Sequence, residues 1–152
     1  SRTKPCVCSP AQIKRYANRI SGPLLDRIDL HIEMTEVGYT EITDRRGAEP
    51  SAAVRARVTR ARELQRVRFL QDGIRTNAQM DGKLLRKYCT PTGEAEQMLK
   101  SAFTKLRLSA RAYQRVLKVA RTIADLEGAE QVQLAHYAEA IQYRSMELLS
   151  EL

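Results

Sequence analysis

Three cations at helical spacing, Arg111, Arg115 and Lys118, are the side chains of this sequence best arranged to do chemistry. Residues four and three apart share one face of a helix. Arg111 and Arg115 fall in the first two turns of the helix predicted below, where the backbone end is already partly positive. Cations there are unfavourable without an anion beside them, and a phosphate at a helix N-terminus is the usual occupant. A solvated basic face is the alternative that spacing leaves open. Arg27, between Asp26 and Asp29, is a second candidate. It reads either as a local ion-pair knot or as an exposed guanidinium aimed at a neighbour's phosphate. A third candidate is the series Arg55, Arg57, Arg60, Arg62, Arg66 and Arg68, with only Glu63 to offset it. That series is either a solvated face or a contact for nucleic acid or another polyanion. No aromatic residues are interleaved with it, so contacts would go to phosphates rather than bases.

Other chemistries are poorly supported. Cys6-Val7-Cys8 offers two thiolates, but a tetrahedral zinc site needs four ligands. The remaining candidates, Cys89, His31 and His136, are distant and unspaced, so no metal site is predicted within this chain. Gly82-Lys83 is the single Gly-Lys pair, preceded at the fifth position by Asn77 and followed by Leu84, which is not a phosphate-binding P-loop. No Gly-x-Ser-x-Gly, no His-Glu-x-x-His and no paired carboxylates on a defined face are present. The chain by itself is expected to catalyse nothing.

The elements that must carry these residues follow from periodicity and punctuation. From Arg107 to Gly128, Tyr113, Val116, Leu117, Ala120, Ile123 and Ala124 give one apolar stripe, with Ser109 as N-cap and Gly128 as a left-handed C-cap. Ser51 to Leu70 is a helix with Val54, Val58, Ala61 and Leu64 as its core side. Asp81 caps a short helix bearing Leu84, Leu85 and Tyr88, and Thr90-Pro91 starts the next, with Ala95, Met98, Leu99, Ala102, Phe103 and Leu106 inward. A last helix from about Gln133 packs Leu134, Tyr137, Ala138, Ile141 and Leu148 and leaves His136 outward. These helices form a bundle. Upstream, Ser9-Pro10 opens a short helix that Ser21-Gly22-Pro23 stops. Ile28 to Met34 then alternates with period two and reads as a half-buried strand, with Arg27 at its mouth and His31 as a structural histidine. No second convincing strand accompanies it, so its sheet is expected outside this chain. Residues 35–50 read as a linker.

A chain of 152 residues can bury one core. It starts with Ser rather than Met, and is expected to be excised from something longer. No apolar run approaches 18 residues and no signal-peptide pattern is present, so no membrane span or secretion is expected. Three cysteines suit a reducing cytoplasm. The net charge of +8 is local: residues 49–90 carry 10 basic and 4 acidic side chains, whereas residues 91–152 balance at 8 each. One basic patch points to a polyanion partner more than to solubility.

The segments Ile20–Glu33, Leu108–Leu126 and Gln133–Arg144 resemble the C-terminal end of bacterial magnesium-chelatase-like AAA+ ATPases, the YifB or ComM group. The Pro-Leu-Leu-Asp-Arg-Ile-Asp-Leu stretch is similar also to MCM helicases and to magnesium chelatase itself. The resemblance implies a mainly α chain, a helical lid over residues 49–152 preceded at 1–48 by the last piece of an α/β ATPase core, with 29–34 its final strand. It implies a P-loop core upstream, ATP and Mg2+ as cofactors of the full-length protein, and neighbouring subunits in a ring, in a hexamer for the ComM type. Arg27 then matches the arginine finger reaching the adjacent subunit's γ-phosphate. Arg111 matches sensor 2, with Arg115 as its fallback; both roles are electrostatic stabilisation of a transferring phosphoryl group. ComM-type members are associated with DNA branch migration, so a lid of an ATP-driven DNA motor is the first expectation. A nucleotide-independent basic DNA-binding module and a protein-binding helical adaptor follow.

Overall fold

The computed structural model describes residues 6–32, 34, 37–43 and 47–144. The described residues form α-helices and one 3-10 turn: α1 (Pro10–Ala17), α2 (Gly22–Leu25), α3 (Tyr39–Ile42), α4 (Ser51–Arg68), the 3-10 turn Asn77–Gln79, α5 (Gly82–Tyr88), α6 (Glu94–Lys105), α7 (Ala110–Glu127) and α8 (Leu134–Gln142). The fold is mainly α, as expected.

Helix α7 is the centre, touching α4, the 3-10 turn, α5 and α8, while α6 packs on α8. Its ends are set by local chemistry. Ser109 Oγ accepts from the Ala112 amide at 3.1 Å, and Gly128 turns left-handed at φ 77°. The Ala129 amide then reaches back to the Ala124 carbonyl at 2.8 Å, which satisfies an otherwise orphaned acceptor. Between these caps Val116, Leu117, Ala120, Ile123 and Ala124 are buried, as the stripe predicted. Of these, Val116, Leu117, Ala120 and Ile123 share one core with Leu85 and Cys89 of the α5 region, Leu99 of α6 and Tyr137 and Ala140 of α8. Tyr137 is fully buried and donates to the Cys89 carbonyl at 2.9 Å, so its one polar atom is satisfied.

Several expectations are corrected. Among the described residues no strand occurs, and residues 28–32 and 34 are irregular. The period-two pattern is real, but without a second strand to pair with, these backbone groups find other partners. The His31 amide donates to the Tyr143 carbonyl at 2.8 Å, and the Ile28 carbonyl accepts from Arg144. The helix opened by Ser9-Pro10 ends at Ala17, before Ser21-Gly22-Pro23 is reached, and that tripeptide instead opens α2, with Pro23 in its first turn, where its missing N–H costs nothing. Thr90-Pro91 does not start α6, which begins at Glu94 after a left-handed Gly93 at φ 56°. The linker carries the short helix α3; its Arg45-Arg46 pair lies outside the described residues, as does Leu148.

The core side of α4 is also different. Val54, Val58 and Leu64 are exposed, whereas Ala61 and Gln65 are buried. Only the C-terminal half of α4 faces α7, and that contact is built around a buried carboxylate rather than an apolar seam. In α8, Leu134 is exposed and His136 is buried rather than outward. The histidine sits at the third position of the helix and accepts from the Gln133 amide at 2.8 Å through Nδ1. Nε2 therefore carries the proton and donates to Glu127 at 2.8 Å.

Candidate functional site

Arg111, Arg115 and Lys118 line one open groove of about 600 Å3 along α7, together with Asp29, Ala78 and Tyr143. The helix therefore brings the three predicted cations together. Their states differ. Arg111, the second residue of α7, is exposed and makes no hydrogen bond or ion pair among the described residues. Arg115 is held by Asp29 in an ion pair that crosses from α7 to the segment after α2. Its Nε is buried without a partner among the described residues. Lys118 donates to the Ala78 carbonyl at 2.8 Å, and burial, aided by the charge of Arg115, pulls its pKa below the usual lysine value. A cation whose charged form is disfavoured by like charge gains from an anion in the same groove.

Arg27 lies outside that groove. The ion-pair knot is not what forms around it, because both carboxylates turn to other arginines. Asp26 faces Arg144 at 3.6 Å, and Asp29 pairs with Arg115. Arg27 is left exposed, with no ion-pair partner among the described residues. Arg144, which spacing did not single out, is buried and holds this loop. It donates to the Ile28 carbonyl and approaches the Leu25 carbonyl at 3.5 Å. Its burial pulls its pKa down, with Asp26 acting in the opposite sense. The signal for Arg144 is a cation ending an apolar helix. Such a residue reads as a surface charge until its partner is known.

The six arginines of α4 divide. Arg57 is held by Glu49 through two hydrogen bonds of 2.7 and 3.1 Å, and Arg66 by Glu63 at 2.5 to 3.1 Å. Arg62 approaches Gln65 at 3.4 Å. Arg55 and Arg60 are exposed without a side-chain partner among the described residues. Arg68 points the other way. Its guanidinium forks onto the carboxylate of Asp125, which is 0 % exposed, while its own side chain is 15 % exposed. Asp125 also accepts from Asn77 at 2.8 Å and from Arg121 Nε at 3.1 Å. Arg121 continues to the Ala129 and Glu130 carbonyls at 2.7 and 3.0 Å, closing the turn after α7. This network fastens α4 to α7, and Arg68 belongs to it rather than to the exposed basic face.

The chemistry available is that of fixed positive charge. Among the described residues no group of three His, Cys, Asp or Glu side chains could hold a metal ion. Cys6 and Cys8 are exposed free thiols, and Cys89 is a buried one whose pKa is pushed up to about 12 by burial. Among the described residues no helix is long and apolar enough to cross a membrane. A guanidinium-rich groove at a helix N-terminus suits phosphate oxygens.

Comparison with known proteins bears on the family of the chain. The family described as magnesium chelatase, subunit ChlI C-terminal, matches residues 48–144, and magnesium chelatase, subunit ChlI, matches residues 1–42. Competence protein ComM of Haemophilus influenzae is 46 % identical over 140 residues, which cover 91 % of this chain and 26 % of that protein. The YifB protein of Salmonella typhimurium is 42 % identical over 144 residues, covering 93 % of this chain and 28 % of that protein. The chain thus spans about a quarter of the length of the curated relatives it matches. With a cationic helical domain at 48–144 and this degree of identity, the chain belongs to the magnesium chelatase subunit ChlI C-terminal family.

Proposed function

We propose that this chain is the lid end of an AAA+ ATPase that remodels DNA, with Arg111 acting as sensor 2 on the nucleotide of its own subunit and Arg27 as an arginine finger toward the next. The observation that carries the reading is the exposed Arg111 at the cationic end of α7, unpaired among the described residues, in a groove shared with Arg115 and Lys118. These donors fit phosphate oxygens; they do not fit Mg2+, which would ride on the phosphates and on carboxylates beyond this set. ATP supplies the transferable phosphoryl group when bound. Arg111 would bond a phosphate oxygen and stabilise negative charge there, while Lys118 contributes field from its bond to Ala78. Arg27 would do the same across a subunit boundary of a ring, a hexamer in this reading. A cytoplasmic location follows from that role.

Mutation of Arg111 in the full-length protein tests the reading. Arg111→Ala should lower ATP turnover about a hundredfold or more, the usual loss when one aimed donor is removed from a developing charge. Unchanged turnover rejects the role.

The exposed Arg55 and Arg60 favour a second reading, in which α4 contributes phosphate contacts to DNA. In it the isolated chain binds duplex or forked DNA with an affinity that falls linearly with salt on logarithmic axes. Each of Arg55→Ala and Arg60→Ala should then reduce that slope by about 1. Absence of binding at low salt would reject this surface and leave an acidic protein partner for α4.

A further inference from the structure

The segment from Leu25 to His31 carries Arg27 yet has almost no packing of its own. Leu24, Ile28, Leu30 and Ile32 are exposed, and no ladder holds the backbone among the described residues. What holds it is polar, and it comes from α7 and the end of α8. Arg144, with its side chain 4 % exposed, takes the Ile28 carbonyl and faces Asp26 at 3.6 Å. The Tyr143 carbonyl takes the His31 amide at 2.8 Å. At the other edge, Asp29 holds Arg115, a residue of the same groove as Arg111.

These two attachments differ in strength. Arg144 is buried, so losing its partners would strand a desolvated charge. Asp29 is 59 % exposed and Arg115 24 % exposed, so the carboxylate can return to water at little cost. Arg115 also keeps a buried Nε without a partner among the described residues. An anion entering the groove competes with Asp29 for this guanidinium, and it offers the acceptors that Asp29 leaves unfilled.

Building on the nucleotide reading above, we infer that Arg144, Asp29 and Arg115 are positioning residues for Arg27. Arg144 is a permanent anchor, and the Asp29–Arg115 pair is an exchangeable latch. Phosphate binding beside Arg111 releases the latch, so the loop that reaches the neighbouring site responds to the occupancy of its own site. The coupling needs no movement of α7, only a change of partner at one guanidinium.

Amide exchange of residues 28–32 in the full-length protein, with and without a non-hydrolysable ATP analogue and Mg2+, tests this. In the wild type, nucleotide should speed exchange about three- to fivefold, the range a half-exposed ion pair supports. Asp29→Asn should exchange at that faster rate without nucleotide and show no further response, and Asp29→Glu should restore the response. Arg144→Lys, which keeps the charge but not the fork, should speed exchange in both conditions. Nucleotide binding that leaves exchange unchanged in the wild type, or an Asp29→Asn protein that responds like the wild type, overturns the latch. Nucleotide binding measured in parallel separates the two ideas. Failure of the wild type to bind, or binding and turnover that Arg111→Ala leaves unchanged, overturns the groove reading and the latch with it.

Discussion

Arginine is the residue type whose role this structure divides most sharply. Arg55 and Arg68 are both α4 arginines in the same basic series, yet one is exposed and the other forks onto a fully buried carboxylate. Removing one partner of a buried pair leaves the other charge desolvated, which costs about 3 kcal/mol or more. Arg68→Ala should therefore lower stability by about that amount, whereas Arg55→Ala should stay within about 0.5 kcal/mol of wild type. Denaturant melts of the two variants check this. Equal stabilities would mean that Asp125 is satisfied by Arg121 and Asn77 alone. The sequence showed six arginines at helical spacing but not which one had a partner 57 residues away, since burial of Asp125 depends on the packing of α4 against α7.

At the scale of elements, caps carry more of the fold than side-chain periodicity does. Helix α7 was legible because Ser109, its apolar stripe and Gly128 all agree. Gly128 sits at φ 77° with nothing within 4 Å of where a Cβ would stand. A substitution there meets backbone strain alone, so Gly128→Ala should cost about 1 kcal/mol. A thermal melt measures it, and an unchanged midpoint would show that the turn relaxes. Helix α6 ends in the same geometry without glycine: Arg107 has φ 47°, and the Leu108 amide reaches the Phe103 carbonyl at 3.1 Å. Left-handed backbone costs a non-glycine residue roughly 1–2 kcal/mol, partly offset by the entropy glycine loses on folding. Arg107→Gly should thus raise stability by up to about 1 kcal/mol; a lower midpoint would show that the Arg107 side chain contributes contacts of its own. The sequence hid this end because arginine is a poor signal for a left-handed cap.

For the whole molecule, the question is how the Arg27 segment is held to the bundle. His31 is involved, with Nε2 3.3 Å from the Leu25 carbonyl and Nδ1 buried without a partner among the described residues. Burial, then the charge of Arg144, holds its pKa below the usual histidine range, with the Leu25 carbonyl and Asp26 opposing. A depressed pKa means that docking is fully present above the undocked value of about 6.5 and is lost as pH falls toward the docked value. Exchange at residues 28–32, corrected for intrinsic rates, should rise between about pH 7.5 and 5.5. A His31→Gln variant should lack that dependence. Constant protection across the range would show that the ring plays no part in docking.

Legible in the sequence were the main helices of the bundle, both caps of α7, the three cations on one face of α7 and the local excess of basic charge, because each depends on residues within a few turns of one another. It also carried the family resemblance. Which charges lack an ion-pair partner among the described residues is set by packing across the chain. Arg27 has no ion-pair partner among the described residues because Asp26 and Asp29 turn to Arg144 and Arg115, residues 118 and 86 positions away. Arg68 is captured because Asp125 is buried, and Val54 and Val58 stay exposed because α4 meets α7 over half its length. Pairing of charges across the chain is set by which surfaces meet, and no local pattern encodes that.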